Sequence, residues 1–293
     1  MSKPTASLPT SVAYPKVRRM RFRFGQLEPI QRHFIEGNIV LSHLVALLSG
    51  GFPPGEESFI RSVRRFADEI TDPALKKRVA GFIGQEAVHG NQHRVLNHQL
   101  IELGYLFVKV ADFPKDSRRE KTLVRAERLL PRHLHLALTA AAEHYTATMA
   151  QRVLSNEEIR AIPGDPEVWH LLDWHAFEEL EHKSVAFDVF RAVDGSEETR
   201  ILAMAVMYYG VIPFLSVAVI ASILADRTAW HPITVTRQAI ELFRGPVVRG
   251  LMKELRTYMV RDFHPDDIDT TALLEQWRLE LFGTDGQLRD RVK

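Results

Sequence analysis

Apolar residues recur every three or four positions along most of this chain, and no convincing run of strict alternation competes with them. The pattern predicts helices and no sheet. Proline and glycine set the punctuation. A first helix is expected from about Pro29 to Leu48, stopping at Ser49-Gly50-Gly51. A turn at Phe52-Pro53-Pro54-Gly55 then leads to a second helix from about Glu56 to Ile70. Asp72-Pro73 reads as an N-cap followed by a first-turn proline, opening a third helix that continues to roughly Leu103. Beyond a connection over 105–120, a fourth helix reaches about Leu154, kinked or restarted at Pro131. Asp165-Pro166 repeats the capping logic for a fifth helix ending near Asp194-Gly195. An apolar stretch (201–225), a helix near 232–260 interrupted at Gly245-Pro246 and a short one near 268–282 complete the chain. The expected organisation is all-α: an N-terminal arm (1–27), a four-helix bundle (28–195) and a C-terminal helical extension packed on it (196–293).

Two Glu-x-x-His tetrads, Glu86-Ala-Val-His89 and Glu179-Leu-Glu-His182, fall in separate predicted helices. Residues at i and i+3 share a helix face, so each tetrad aims a carboxylate and an imidazole at one point. With one inward glutamate on the helix before each tetrad, this is the ligand plan of a binuclear carboxylate site. Glu56 heads the stripe Phe59, Ile60, Val63, Ala67, Ile70 and is preferred to Glu57, although a carboxylate there also complements a helix dipole. Glu143 follows three alanines and supplies the remaining carboxylate, while His144 points away. His175, Glu179 and His182 lie within one narrow sector of the fifth helix. The expected metal ligands are therefore Glu56, Glu86, His89, Glu143, His175, Glu179 and His182. His93, one turn beyond His89, is an extra ligand, a partner to one, a general base or a satisfied core histidine. Glu178, at the edge of the ligand face, is the other candidate base. Asp188 or Asp173 is expected to orient an imidazole N–H.

Composition narrows the chemistry. Lys+Arg 38 against Asp+Glu 37 gives no basic field for nucleic acid. With Cys 0, thiolate ligands are excluded, and a His/Glu set suits iron, manganese or zinc. The first 27 residues lack an apolar export core, so a cytoplasmic location is expected. They carry Lys16, Arg18, Arg19, Arg21 and Arg23, read as a solvated arm or a foot on an anionic membrane. Residues 201–225 contain no charge and exceed the roughly 20 residues that span a bilayer. They are expected either to enter or dock on the inner face of the cytoplasmic membrane, or to form two buried helices broken at Gly210 and Pro213. The latter would pack on the bundle or across a homodimer.

The segments Phe52-Pro-Pro-Gly-Glu56-x-x-Phe59, Gly84-Gln-Glu86-x-x-His89-x-x-x-His93 and Trp174-His175-x-x-Glu178-Glu179-x-Glu181-His182-Lys183 resemble the bacterial predicted metal-dependent hydrolases, a ferritin-like group. The resemblance implies a ferritin-like bundle over about residues 20–260. The His-x-x-x-Glu-x-x-His run at 175–182 is also similar to the three-ligand helix of di-iron arylamine N-oxygenases. This second resemblance implies two iron ions and dioxygen chemistry. The main expectation is a binuclear non-haem iron oxidoreductase or oxygenase acting on a hydrophobic, lipid-like substrate. The alternatives are a binuclear hydrolase using metal-bound hydroxide and a non-enzymatic metal-binding helical protein.

Overall fold

The computed structural model describes residues 14–26 and 28–293, and the chain is an all-α helical bundle. The helices are α1 (Ile39–Arg64), α2 (Pro73–Glu102), α3 (Leu106–Ala111), α4 (Arg118–Leu129), α5 (Arg132–Ser155), α6 (Glu157–Arg160), α7 (Pro166–His182), α8 (Val185–Ala192), α9 (Glu197–Leu224), α10 (Pro232–Arg244), α11 (Leu251–Leu255) and α12 (Thr271–Phe282). Capping follows the sequence signals. Asp72 accepts from Ala74 N and Leu75 N ahead of Pro73, and Asp165 accepts from Glu167 N and Val168 N ahead of Pro166. The restart at Pro131 separates α4 from α5. The fifth predicted helix breaks at Lys183-Ser184, which divides α7 from α8.

One prediction fails instructively. Ser49-Gly-Gly-Phe-Pro-Pro-Gly55 is no turn but the middle of α1, with Pro53 and Pro54 inside the helix. A proline there removes the N–H that would satisfy the carbonyl four residues earlier. The Asn97 side-chain amide replaces it, donating to Ser49 O at 3.0 Å. Helix α1 also starts later than expected, at Ile39, where the Asn38 side chain caps Leu41 N.

Helix α1 lies along α2, and α5 lies along α7. Two apolar masses flank this pairing. One gathers Leu96, Leu100, Trp174 and Phe177, and the other Phe66, Phe82, Phe187, Phe190 and Tyr258. Between them α1, α2, α5 and α7 turn polar side chains toward each other. Helix α9 is long and apolar enough to cross a bilayer, yet it runs unbroken through Gly210 and Pro213. It buries Ala203, Met204, Val219 and Ile223 against the bundle and leaves its opposite face uncovered.

Residues 1–13 and 27 of the basic arm lie outside the described residues. Over 14–26 the segment is not a solvated arm. Met20, Phe22 and Phe24 are buried, and Met20 forms an antiparallel bridge with Val292. Extended backbone places alternate side chains on one face, which explains why the apolar members enter the core while most arginines stay out. Gly81 and Gly84 make room for the strap: a Cβ on Gly81 would sit 2.4 Å from Pro15 O.

Candidate metal centre

Four helices contribute to one buried point: Glu56 from α1, Glu86 and His89 from α2, Glu143 from α5, and His175, Glu179 and His182 from α7. All seven are 5% exposed or less. Glu179 Oε1 stands centrally, 3.0 Å from His175 Nε2, 3.6 Å from His182 Nε2 and 4.0 Å from His89 Nδ1. His182 Nε2 is also 3.0 Å from Glu86 Oε1 and 3.3 Å from Glu143 Oε2, and His175 Nε2 is 3.7 Å from Glu56 Oε1. The donors divide into overlapping triads, among them Glu86–Glu143–His182, Glu56–Glu86–His89 and His89–His175–Glu179. A further triad is Glu56–His93–His175, and Glu56, Glu86, His89 and His175 each serve two triads, an overlap that suits two adjacent cations. Gly90 lets α1 close on α2 here, since a Cβ would fall 2.8 Å from Glu56 Oε2.

Apart from Glu179, which His175 Nε2 and the Thr146 hydroxyl approach, most polar atoms at this point are left without hydrogen bonds. Both oxygens of Glu56, Glu86 and Glu143, with His89 Nδ1 and His182 Nε2, are eight of the sixteen orphaned buried side-chain atoms among the described residues. The short His182–carboxylate distances thus lack hydrogen-bond alignment. Four carboxylates cannot be left ionised together in hydrocarbon without a compensating charge. In the protein alone, burial and then the neighbouring carboxylates, Glu86 foremost, drive Glu56 well above the usual range. Burial likewise raises Glu143 and Glu86, although His182 opposes it. Burial would also raise Glu179, but His182 and His175 outweigh it and hold that carboxyl well below the usual range. His182 is raised because Glu179 and Glu143 overcome its burial. Divalent cations bound here would remove the conflict that these opposed shifts express. The residues fit the group.

Behind the ligands, each imidazole is wired by its other nitrogen. His89 Nε2 donates to Glu178 Oε2 at 3.1 Å. His182 Nδ1 donates to Gln85 Oε1 at 3.0 Å; the Gln85 amide nitrogen faces Glu181 and Lys16 O, so its oxygen has to face the imidazole. His175 Nδ1 donates to His93 Nε2 at 2.8 Å, and His93 Nδ1 donates onward to Ser49 Oγ at 2.9 Å. Ser49 in turn donates to Asn97 Oδ1, and Asn97 to Asp112 Oδ2. In all three rings this fixes the tautomer whose bare nitrogen faces the centre, as metal ligation demands.

His93 and Glu178, expected as candidate bases, therefore stand behind ligands with their polar atoms engaged, a placement that suits orientation and not proton abstraction. Burial raises the Glu178 carboxyl to about 7, while Arg18 pulls the other way. Asp188 and Asp173 do not orient an imidazole of the centre. The first pairs with Arg78 and His264, and the second with Arg160. His144 packs against Tyr258 and edge-on against Phe263, away from the site, as the sequence indicated. Glu57 is held by Arg94.

Arg18, Gln85 and Glu181 were missed. Arg18 Nη1 donates to Glu178 Oε1 at 2.9 Å and to Glu181 Oε2 at 2.7 Å, anchoring the N-terminal strap on α7. Its only sequence signal was the alternation around Met20, Phe22 and Phe24. A second cluster, His33, His43 and Asp226, has ligand chemistry. There the Arg32 guanidinium already holds Asp226 Oδ2 at 2.7 Å, so the carboxylate has its counter-charge.

Aromatic rings wall the centre: Trp174 meets His89 edge-on, Phe82 meets His182, and Phe52 lies 4.7 Å from both His93 and His175. Phe52 alone of the three is partly exposed.

Comparison with known proteins supplies the family. A family model described as predicted metal-dependent hydrolase matches residues 16–269, and the chain belongs to that family. No curated protein and no solved structure matches the chain.

Proposed function

We propose that this family member is a binuclear metal-dependent hydrolase, with Glu56, Glu86, His89, Glu143, His175, Glu179 and His182 holding two divalent cations. One observation carries the reading: eight buried, unpartnered donor atoms face a single point in a site walled by aromatic rings. Two bound cations would supply an acidified water and polarise a substrate oxygen. The chain's own residues do the rest. Glu178, Gln85 and His93 hold three imidazoles in the ligating tautomer. Thr146 donates to Glu179 and holds that central carboxylate from the α5 side. Trp174 and Phe82 exclude bulk water, and Phe52, partly exposed, is the door for a hydrophobic substrate.

Dioxygen-dependent oxidation at two iron ions is the second reading. A third imidazole, His175, on the same helix as Glu179 and His182, favours it, as does the aromatic wall. Both readings require about two metal equivalents per chain, reduced to one or none by Glu179→Ala or His182→Ala with helix content kept. Full stoichiometry in both variants defeats both. Turnover of aryl and alkyl esters by manganese- or zinc-loaded protein supports hydrolysis. Oxygen uptake after anaerobic ferrous loading, with no esterase turnover under any metal, replaces it with oxidation.

A further inference from the structure

The uncovered face of α9 has its own logic. Leu202, Val206, Tyr209, Pro213, Val217, Ile220 and Leu224 are exposed, and their spacing follows the helix repeat over about 33 Å. No charged residue interrupts 201–225. Apolar patches of this extent on soluble proteins mark interaction sites. Apart from exposed Phe214, which lies beside Pro213, the steps along the stripe read 4, 3, 4, 4, 3, 4, the same in either direction from Pro213. A two-fold axis through Pro213 therefore sets Leu202 opposite Leu224 of a second copy, Val206 opposite Ile220 and Tyr209 opposite Val217. Exposed Glu198 precedes the stripe by one turn and exposed Arg227 follows it, so antiparallel packing also brings opposite charges together at both ends. Gly210, with nothing within 4 Å of a Cβ position, leaves space near the crossing. The exposed side chains offer on the order of 800 Å² per copy, one partner's share of a standard interface.

We infer that this chain forms a two-fold homodimer through antiparallel packing of α9 on α9. A bilayer fits the face less well: the helix buries its other side on the bundle, and its N-terminal end carries Glu197 and Glu198 in place of the cations that bind anionic lipid. Self-complementarity belongs to an isologous contact and not to a membrane.

Sedimentation equilibrium of the full chain tests this, and the expected mass is twice 33.5 kDa. Val206→Lys alone and Ile220→Glu alone each bury unpaired charges and raise the dimer dissociation constant at least tenfold. In the Val206→Lys/Ile220→Glu double variant, the introduced lysine of each copy meets the introduced glutamate of the other, and at least half of the lost dimer returns. Since the chain has no cysteine, Tyr209→Cys mixed with Val217→Cys gives a clean disulfide readout, which neither variant gives alone. A monomer at all concentrations overturns the inference. So do single variants that leave the dimer unchanged, a double variant no better than its parents, or vesicle binding without self-association. Circular dichroism of the double variant shows that misfolding is not the cause.

Discussion

Removing the Arg18 guanidinium asks whether the strap matters to the metal centre 160 residues further along the chain. In Arg18→Met the Glu178 carboxylate loses its counter-charge in a site where it is 0% exposed and Arg18 only 8%. At that burial the pair escapes the screening that makes surface ion pairs nearly neutral. Breaking one partner of such a pair costs about 3–5 kcal/mol at pH values well above 7, where the orphaned carboxylate is ionised; at neutral pH Glu178 takes up a proton and the loss is smaller. Glu181→Gln leaves Glu178 opposite Arg18 and should cost less than Arg18→Met. The carboxyl of Glu178 already sits at about 7 with Arg18 beside it. Without the cation it stays protonated at neutral pH and becomes a weak acceptor for His89 Nε2–H. Metal affinity should fall about 10- to 100-fold, the usual loss when the partner behind a ligand is removed.

Urea unfolding of metal-free protein gives the first quantity, and chelator competition with zinc gives the second. Arg18→Met/Glu178→Gln should recover most of the stability, because no uncompensated charge remains, and much of the affinity, because the amide oxygen still accepts from His89. If Arg18→Met loses stability while zinc affinity stays at the parent value, the chain Arg18–Glu178–His89 does not act on the site. If the double variant is as unstable as Arg18→Met, the cost was lost packing and not buried charge.

Three further outcomes follow from the same geometry. Metal-free protein should lose stability as pH rises above about 6.5. Glu56, Glu86 and Glu143 have folded pKa values raised by burial, and His182 is raised by Glu179 and Glu143 against its burial, so each stabilises at low pH and ceases to as its folded value is passed. His89 and His93, lowered by burial, act below 6.5 and leave that window flat; thermal melts with excess zinc should reverse the slope. Gln85→Leu frees the His182 tautomer and should cost about 10- to 100-fold in zinc affinity while helix content holds. Asn97→Ala strips the donor from Ser49 O and should destabilise by about 1–3 kcal/mol in urea, and an unchanged midpoint would mean that the carbonyl has another partner.

Local pattern carried much of this molecule. The all-α bundle and the convergence of seven donors were readable because helical spacing assigns a face without knowledge of the fold. Glu143 is the sharpest case, a lone acid after three alanines that only the plan of paired tetrads singled out. What escaped was non-local. Arg18 and Glu178 are far apart in sequence, and no spacing rule joins a strap to a helix. Gln85 sits beside Glu86 with nothing in its spacing to mark it, and only the fold brings Lys16 O and Glu181 to its amide. Asp188 and Asp173 were chosen for chemical type, yet arginines from other elements claim them.

The misread turn in α1 belongs with the site. Two successive prolines inside a helix each cost about 3 kcal/mol, and such breaches of local preference persist where function holds them. Pro53 faces Gly90 at the contact that brings Glu56 to the centre. The carbonyl that Pro53 leaves bare belongs to Ser49, and Asn97 comes to it. Once there, Asn97 also accepts from the Ser49 hydroxyl, which fixes the direction of the hydrogen bonds from His175 through His93. Converting the prolines to alanine would heal the helix and release Asn97. The orientation of His175 would then rest on His93 alone. On this account the helix gives up two hydrogen bonds so that one imidazole presents the right nitrogen.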